Sequence, residues 1–200
     1  MDVIEHYDKL IDEGNDPFLD PKPLRDYMDK WDGQRFIDAL SLDKTRSVLE
    51  IGVGTGRLAV RVIPECRTFC GIDISPKTIE RARENLGAKG GVTLVCGDFL
   101  AYDFGRGAKF DVIYSSLTFM HIKEEDKQAA ADKVRSLLSD GGLFVLSIDK
   151  NQGEYIDMGT RRVRIYPDTP ENIKYCASAA HLSVSDEYET ELAFVFVFKK

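Results

Sequence analysis

The residues of this chain best suited to chemistry are three glycines and an acid that follows them. Residues 48–51 form an apolar, β-prone run, and Gly52, Gly54 and Gly56 come directly after it. Glycine has no Cβ, so a ligand can approach the backbone of such a turn, where free N–H groups attract negative charge. Asp73 ends the next apolar run and is placed to accept hydrogen bonds from ribose hydroxyls. The combination predicts a bound nucleoside, and a glycine-rich turn beside an unrelated surface acid is the alternative.

The spacing of the glycines separates the possible nucleotide ligands. A dinucleotide motif needs a third glycine five positions after the first, where this chain has Arg57. The third glycine is instead Gly56, and the order Glu50-x-Gly52-x-Gly54-x-Gly56 is closer to the motif of S-adenosylmethionine-binding proteins. Arg57 therefore weighs against a nicotinamide-dependent oxidoreductase, which stays open as an alternative.

Alternating strand and helix patterns surround these residues. Ser75 as N-cap with Pro76 predicts a helix after the second strand, and Thr169 with Pro170 predicts a last helix. Such alternation predicts an α/β doubly wound fold with a mostly parallel sheet covered on both faces. The last two strands are joined by three residues, which is too short for a parallel crossover, so they must form an antiparallel hairpin. The predicted strands are 46–51, 68–72, 92–96, 110–114, 142–148, 182–188 and 192–198, with a helix over about 124–138.

Length and composition predict one globular domain. The chain has 200 residues, of which 43% are hydrophobic and 30% charged. We divide it into an N-terminal helical cover (1–45), a cofactor-binding core (46–148), a substrate loop (149–168) and a final helix and hairpin (169–200). The N-terminus lacks a basic start and an apolar signal core, and no apolar stretch reaches the length of a membrane span. We therefore expect a cytoplasmic protein.

The net charge and the cysteines limit which partners and bound groups we expect. A net charge of −7 argues against nucleic acid and against an anionic membrane surface. The four cysteines show no Cys-x-x-Cys spacing, so we expect neither a metal site nor disulfides. Residues 161–164 hold the one tight basic cluster, for which a solvated strand edge is the plain interpretation.

Five segments in order resemble the class I S-adenosylmethionine-dependent methyltransferases. The match covers most of the chain, and the terminal hairpin is similar to the way this family ends its seven-stranded sheet. The resemblance implies a Rossmann-like methyltransferase fold, S-adenosyl-L-methionine as the cofactor, and methyl transfer as the activity. The segments that carry it are 48–59, 71–85, 97–99, 110–116 and 137–143.

The resemblance also implies roles around the donor. Glu50, Gly52 and Gly54 would surround its methionine part, Gly56 would complete the turn, and Asp73 would bind the ribose.

Further matching residues would complete the donor site. Ile74 would touch the adenine, Asp98 would accept from its amino group, and Phe99 would lie beside it. Asp98 also suits a turn after glycine. Ser115, at the end of the fourth strand, would lie near the sulfonium, whereas Asp111 starts that strand and is interpreted as structural.

One histidine is a candidate for catalysis. His121 follows the fourth strand near the mouth of the predicted site and can titrate near neutral pH, so we name it as a general base. Packing, capping or substrate contact are its alternative roles.

The methyl acceptor is open. The chain lacks the Asp/Asn-Pro-Pro-Tyr and Pro-Cys sequences of enzymes that methylate nucleic-acid bases, so a small molecule is favoured. Tyr7, Tyr27 and Trp31 are candidates for a lid, and Arg164 and Tyr166 for acceptor contacts. A noncatalytic or regulatory protein that binds S-adenosylmethionine is the alternative function. The acceptor atom, the use of a base and the oligomeric state are left undetermined.

Overall fold

A seven-stranded sheet runs through the centre of the protein, for which a computed structural model describes residues 1–200. The strand order is β3-β2-β1-β4-β5-β9-β8. The first five strands are parallel, and β9 lies antiparallel to both β5 and β8. The predicted fold class and terminal hairpin are confirmed. The strands of this sheet are β1 (Ser47–Ile51), β2 (Thr68–Asp73), β3 (Val92–Cys96), β4 (Phe110–Ser116), β5 (Leu138–Asp149), β8 (Ser183–Glu189) and β9 (Ala193–Lys199).

Seven helices flank the sheet. Two of them begin at the predicted caps: the Ser75 hydroxyl accepts from the Thr78 N–H at 3.1 Å, and the Thr169 hydroxyl accepts from the Asn172 N–H at 3.2 Å. None of the helices is both long and apolar enough to cross a membrane. The helices are α1 (Val3–Asp12), α2 (Lys22–Met28), α3 (Gly33–Ala39), α4 (Ala59–Val62), α5 (Pro76–Leu86), α6 (Lys127–Leu137) and α7 (Pro170–Ala179), with single 3₁₀ turns at Ile63–Glu65, Phe119–His121 and Glu124–Asp126.

The hydrophobic core lies on both faces of the sheet. Neighbouring residues of β1 point to opposite sides, so Val48 packs in one cluster with Phe36 of α3, and Leu49 packs in the other with Val134 of α6. Both clusters are fully buried at these positions. A sheet that is apolar on both faces fixes its strands in one register, and therefore fixes where each strand ends.

The carboxyl ends of β1, β2 and β4 meet at one edge of the sheet. Ile51 of β1 lies beside Ile72 of β2, and the N–H groups of Gly52 and Val53 both donate to the Ile72 carbonyl, at 2.8 and 3.1 Å. The turn after β1 is thus held against β2. This edge is where ligands bind in open α/β sheets.

One segment differs from the sequence-based expectation. The 149–168 segment, expected as a loop, contains a short antiparallel hairpin of β6 (Tyr155–Asp157) and β7 (Arg162–Arg164). Buried Val163 between two exposed arginines gives β7 the alternation of a half-buried strand.

A buried ion pair holds the end of this segment against α6. The Lys127 ammonium donates to the Tyr166 carbonyl at 2.6 Å and to the Asp168 carboxylate. Both side chains of the pair are almost completely excluded from solvent. Burial raises the pKa of Asp168, and the positive charge of Lys127 opposes this shift.

Replacing Lys127 by Met should lower the free energy of unfolding by about 3–5 kcal/mol, because a buried carboxylate then loses its partner. Urea unfolding measures the loss, and Lys123→Met, at an exposed position four residues earlier, is the matched control. Equal effects of the two substitutions would show that the pair does not stabilise the fold.

Candidate functional site

A cavity of about 400 Å³ lies at the carboxyl ends of β1, β2 and β4. The glycine turn and the strand ends form one side of it. Val3, Tyr7, Pro17 and Met28 of the N-terminal segment form part of the opposite side. Residues of the N-terminal segment thus line the cavity together with the strand ends.

Asp73 is held at the end of β2 by backbone groups. Its two carboxylate oxygens accept hydrogen bonds from the N–H groups of Gly54 and Ser75, each at 3.0 Å. Burial raises the pKa of Asp73, and these N–H groups, with that of Ile74, act in the opposite direction. A carboxylate can accept about four hydrogen bonds, so Asp73 keeps acceptor capacity for hydroxyl groups in the cavity.

Two glycines of the turn require the absence of a side chain for different reasons. Gly52 has φ +79°, and a Cβ there would lie 1.9 Å from the Thr118 hydroxyl oxygen. Gly54 has φ +55°, and a Cβ there would meet no atom of the protein within 4 Å. Gly54 lines the cavity, so its open side is space that a ligand can occupy.

Glu50 is a buried acid below the turn. It is 3% exposed and accepts a hydrogen bond from the Tyr114 hydroxyl at 2.7 Å. Burial raises the pKa of Glu50 to about 8, and the Tyr114 hydrogen bond and the charge of Arg57 oppose this shift. A cationic group of a ligand in the cavity would favour the ionised form.

Arg57, at the cavity wall, is fixed by Asp32. Both terminal guanidinium nitrogens of Arg57 donate to Asp32, which is 1% exposed. Asp32 also accepts from the Ser116 hydroxyl at 2.9 Å and from the Gly33 N–H at 2.8 Å. One buried carboxylate thus joins the segment before α3, the glycine turn and the end of β4.

Two more acids attach the N-terminal segment near the same turn. Asp8 of α1 accepts from the Ser75 hydroxyl at 2.7 Å. Buried Asp16 accepts from the Asn85 amide at 3.1 and 3.2 Å, and that amide also donates to the Thr55 carbonyl at 3.0 Å. The cover is therefore fixed to both ends of α5.

Three predicted adenine contacts line the cavity. Ile74 follows β2, and Asp98 and Phe99 follow β3. Asp98 is exposed, and one of its oxygens accepts from the Leu100 N–H at 2.8 Å. That turn-forming bond leaves the second carboxylate oxygen of Asp98 available.

Tyr7 and His121 meet at the cavity wall. The Tyr7 hydroxyl lies 2.8 Å from His121 Nε2, across 114 residues of sequence. Burial lowers the pKa of His121 to about 4, with a smaller effect of His6, so the imidazole is neutral at physiological pH. Its Nδ1 is buried without a hydrogen-bond partner.

The segment after β4 carries backbone strain. Leu117 has φ +57° and lines the cavity between Ser116 and Thr118. A non-glycine residue in this region costs on the order of 1–3 kcal/mol, and such strain concentrates at functional sites. The strained turn brings Thr118 against Gly52 and leads into the 3₁₀ turn that carries His121.

Of the candidate residues, nine lie at the cavity and six lie elsewhere. Glu50, Gly52, Gly54, Asp73, Ile74, Asp98, Phe99, Tyr7 and His121 line it. Gly56 does not line the cavity and lies against the side chain of Leu86, since a Cβ there would be 3.0 Å from that side chain. The Ser115 hydroxyl donates to the Ile51 carbonyl at 3.0 Å, and the next residue, Ser116, is the one that faces the cavity. The remaining four, Tyr27, Trp31, Arg164 and Tyr166, are not among the lining residues.

Those four residues have other surroundings. The ring of Tyr27, which is half exposed, packs on the edge of Trp31 with centroids 5.3 Å apart. The Arg164 guanidinium lies 5.3 Å from the centre of the Tyr166 ring. The Tyr166 N–H donates to the Met120 carbonyl at 2.7 Å, so Tyr166 supports the cavity wall through the backbone.

Sequence reasoning gave no site role to two residues, Arg57 at the cavity wall and Asp32 behind it. Arg57 was considered only as a departure from the dinucleotide motif, although its place directly after the glycines is a local signal for a ligand contact. Asp32 carried no such signal, because its contacts join residues 25 and 84 positions away. Nor is there any group of three or more His, Cys, Asp or Glu side chains placed to hold a metal ion.

The chain matches a known family over its central part. Residues 48–142 match the family model described as a methyltransferase domain. An uncharacterized methyltransferase of Anoxybacillus flavithermus is 37% identical over 122 residues, which is 60% of this chain and 56% of that protein. An uncharacterized methyltransferase of Geobacillus thermodenitrificans is 31% identical over 72% of this chain and 61% of its own length. The chain thus spans a little over half the length of these two relatives.

Solved structures share the fold. The N-methyltransferase NodS from Bradyrhizobium japonicum, in complex with S-adenosyl-L-homocysteine, superposes with a TM-score of 0.72 at 18% identity, covering 98% of this chain and 97% of that one. An S-adenosylmethionine-dependent methyltransferase from Mesorhizobium loti gives a TM-score of 0.70 at 16% identity, covering 84% and 97%. Together, the matched segment and the strand order show that residues 48–142 resemble a methyltransferase domain, in a fold that these solved methyltransferases share.

Proposed function

We propose that this protein transfers a methyl group from S-adenosyl-L-methionine to a small-molecule acceptor. The observation that carries the proposal is the geometry of Asp73 and Gly54: a carboxylate with free acceptor capacity is hydrogen-bonded to a turn whose open side faces the cavity. The methyltransferase names of the curated relatives support it. Residues 1–200 act as one methyltransferase domain in this proposal.

The cavity residues fit a methyl donor that carries positive charge. Glu50 and Asp73 are acids whose ionised forms gain from a cationic neighbour. Arg57 presents a guanidinium held by Asp32, and it suits the carboxylate of an amino-acid group. Ile74 and Phe99 offer apolar surface to a flat base, and Asp98 offers a free acceptor oxygen.

When bound, S-adenosylmethionine supplies an electrophilic methyl carbon, which bonds to a lone pair of the acceptor as the carbon–sulfur bond breaks and its electron pair stays on sulfur. The protein has to align the two reactants and exclude water, and alignment alone can supply about 7–11 kcal/mol of the barrier. The strand ends form the donor side, and α1, which is attached to the N-terminus of α5, forms part of the opposite wall.

The role of His121 as a general base is part of the proposal. Neutral His121 can accept a proton, but a base whose pKa is about 4 accepts one weakly at neutral pH. Proton removal by His121 therefore suits an acceptor that loses its proton readily once it has been methylated. In this proposal, attack by the acceptor's own lone pair matters more for methyl transfer than proton removal by His121.

Incubation with methyl-labelled S-adenosylmethionine and fractionated small-molecule cell extract tests this function. The expected result is a labelled product together with S-adenosylhomocysteine, and protein boiled beforehand is the control. Donor binding without any labelled product would instead support a noncatalytic or regulatory protein.

Gly54→Ala should weaken binding of S-adenosylhomocysteine about tenfold or more, because the new methyl group enters space that the ligand needs. Gly107→Ala is the matched control: its φ is +82°, and a Cβ there also meets nothing within 4 Å, but it lies in an exposed loop away from the cavity. Isothermal calorimetry and melting temperatures are measured for both. Both variants should lose a similar amount of stability, and only Gly54→Ala should lose affinity for S-adenosylhomocysteine. Equal affinities of the two variants would contradict the placement of the ligand.

Donor binding should release protons near neutral pH. Glu50 has a pKa of about 8 in the free protein, so it is mostly protonated at pH 7, and a bound cation lowers that pKa. Affinity for S-adenosylmethionine should therefore rise as the pH increases from about 6 to 8.

Calorimetry at pH 7 in buffers of different ionisation enthalpy counts these protons. Glu50→Gln should reduce the release and flatten the pH dependence, whereas Glu125→Gln, at an exposed position, should behave as the wild type. Unchanged proton release in Glu50→Gln would show that Glu50 is not near the donor's charge.

A further inference from the structure

The two sides of the cavity differ in chemistry. All four charged side chains of its lining, Glu50, Arg57, Asp73 and Asp98, belong to the strand ends and the glycine turn, where the donor is proposed to bind. A second group of lining residues comes from α1, from the end of α2, and from the 3₁₀ turn Phe119–His121 with the residue after it, and we call it the outer half. Its members are Val3, Tyr7, Met28, Met120, His121 and Ile122.

The outer half is apolar apart from one polar pair. Methionine, valine and isoleucine side chains provide most of its surface, and methionine adapts to ligands of varied shape. The polar exception is the Tyr7 hydroxyl with its 2.8 Å contact to His121 Nε2. None of its own side chains carries a charge, because His121 is neutral at physiological pH, and the charge that reaches Tyr7 is the negative one of Asp73 across the cavity.

The Tyr7–His121 pair leaves hydrogen-bonding groups unused in either tautomer. If the tyrosine hydroxyl donates to Nε2, the proton of the imidazole is on Nδ1, which is buried without a partner. If Nε2–H donates to the tyrosine oxygen, the tyrosine proton is free and Nδ1 is an unused acceptor. The Tyr7 oxygen is a free acceptor in the first case and the Tyr7 hydroxyl a free donor in the second, so a ligand group that both donates and accepts can bond to Tyr7 in either case.

We propose that the outer half is the acceptor subsite, and that it takes a small uncharged molecule with an apolar body and one hydroxyl or thiol group, which hydrogen-bonds to the Tyr7–His121 pair. This inference rests on the proposed methyl transfer, because only that activity makes the bound molecule a methyl acceptor. The binding chemistry it describes is independent of the donor.

Size and charge restrict the acceptor further. A cavity of about 400 Å³ is near the small end of ligand pockets, so a donor inside it leaves room only for a compact partner. A carboxylate or phosphate would lose its hydration in the outer half without gaining a cationic partner. Arg164, an arginine that the sequence analysis names as a candidate acceptor contact, does not line the cavity.

The geometry also orients the reacting atom. An oxygen or sulfur atom has two lone pairs, so one can accept from the pair while the other bonds to the methyl carbon as the carbon–sulfur bond of the donor breaks. As the Tyr7 proton moves to His121 Nε2, the proton of the hydroxyl or thiol passes to the Tyr7 oxygen, or it passes directly to water. Tyr7 and His121 are thus positioning residues in this proposal, joined across the cover and the core.

Three aromatic probes of one shape test the subsite: 4-methylphenol, toluene, which lacks the hydroxyl, and 4-methylbenzoate, which carries a charge. The protein is labelled with ¹⁵N in its histidine rings, and His121→Gln assigns the His121 signals among the three histidines. Titrations are followed by NMR with and without S-adenosylhomocysteine, and exposed His181 is the internal reference.

We expect 4-methylphenol to shift the His121 ring signals and to bind more tightly than the other two probes. Tyr7→Phe should weaken 4-methylphenol about threefold to tenfold and leave toluene unchanged, since one hydrogen bond is lost. Tyr27→Phe, at a half-exposed position outside the cavity, should match the wild type.

Two results would overturn the proposal: binding of 4-methylbenzoate as tight as that of 4-methylphenol, or His121 signals that do not respond to 4-methylphenol. Both are read on the wild-type protein, so they do not depend on the folding of a variant. The titration of S-adenosylhomocysteine is evaluated separately. If S-adenosylhomocysteine does not bind, the proposed donor is wrong. The comparison of the three probes in the absence of S-adenosylhomocysteine would still decide the chemistry of the outer half.

Discussion

The buried carboxylate of Asp32 is the contact on which the arrangement of the site depends. Its side chain has no exposure to solvent, and its four hydrogen-bond donors come from Arg57, Ser116 and Gly33. A buried carboxylate without partners costs several kcal/mol, so the glycine turn, the end of β4 and the start of α3 are stable only in their joint arrangement. The ion pair of Arg57 with Asp32 also places the positive charge of Arg57 near Glu50, where it opposes the rise in the pKa of Glu50 that burial causes.

Charge is therefore distributed unevenly around the cavity. Acids and one fixed arginine lie on the side of the strand ends, and apolar side chains with one neutral Tyr–His pair lie on the other. A charged donor and an uncharged acceptor would each meet matching surroundings. The N-terminal segment contributes to both sides, through Asp32 to the first and through Tyr7 to the second.

The features that depend on residues close together in the sequence, such as helix caps and turns, could be predicted from the sequence. The caps at Ser75 and Thr169 begin their helices, and the glycine turn and Asp73 lie together because adjacent parallel strands end at the same edge. The contacts of Asp32 and the Tyr7–His121 pair span up to 114 residues, and nothing in the neighbouring sequence signals them. The β6–β7 hairpin was missed because each of its strands has three residues, too few for a period of two to be evident.

The most direct test of the central claim, a donor site at Asp73, is a calorimetric titration with S-adenosylmethionine, S-adenosylhomocysteine and NAD on the wild-type protein and on Asp73→Asn. Both adenosyl ligands should bind the wild type, NAD should not, and Asp73→Asn should weaken the adenosyl ligands about tenfold or more through the ribose contact. Tight binding of NAD with no response to the adenosyl ligands, or equal affinities in Asp73→Asn, would contradict the account.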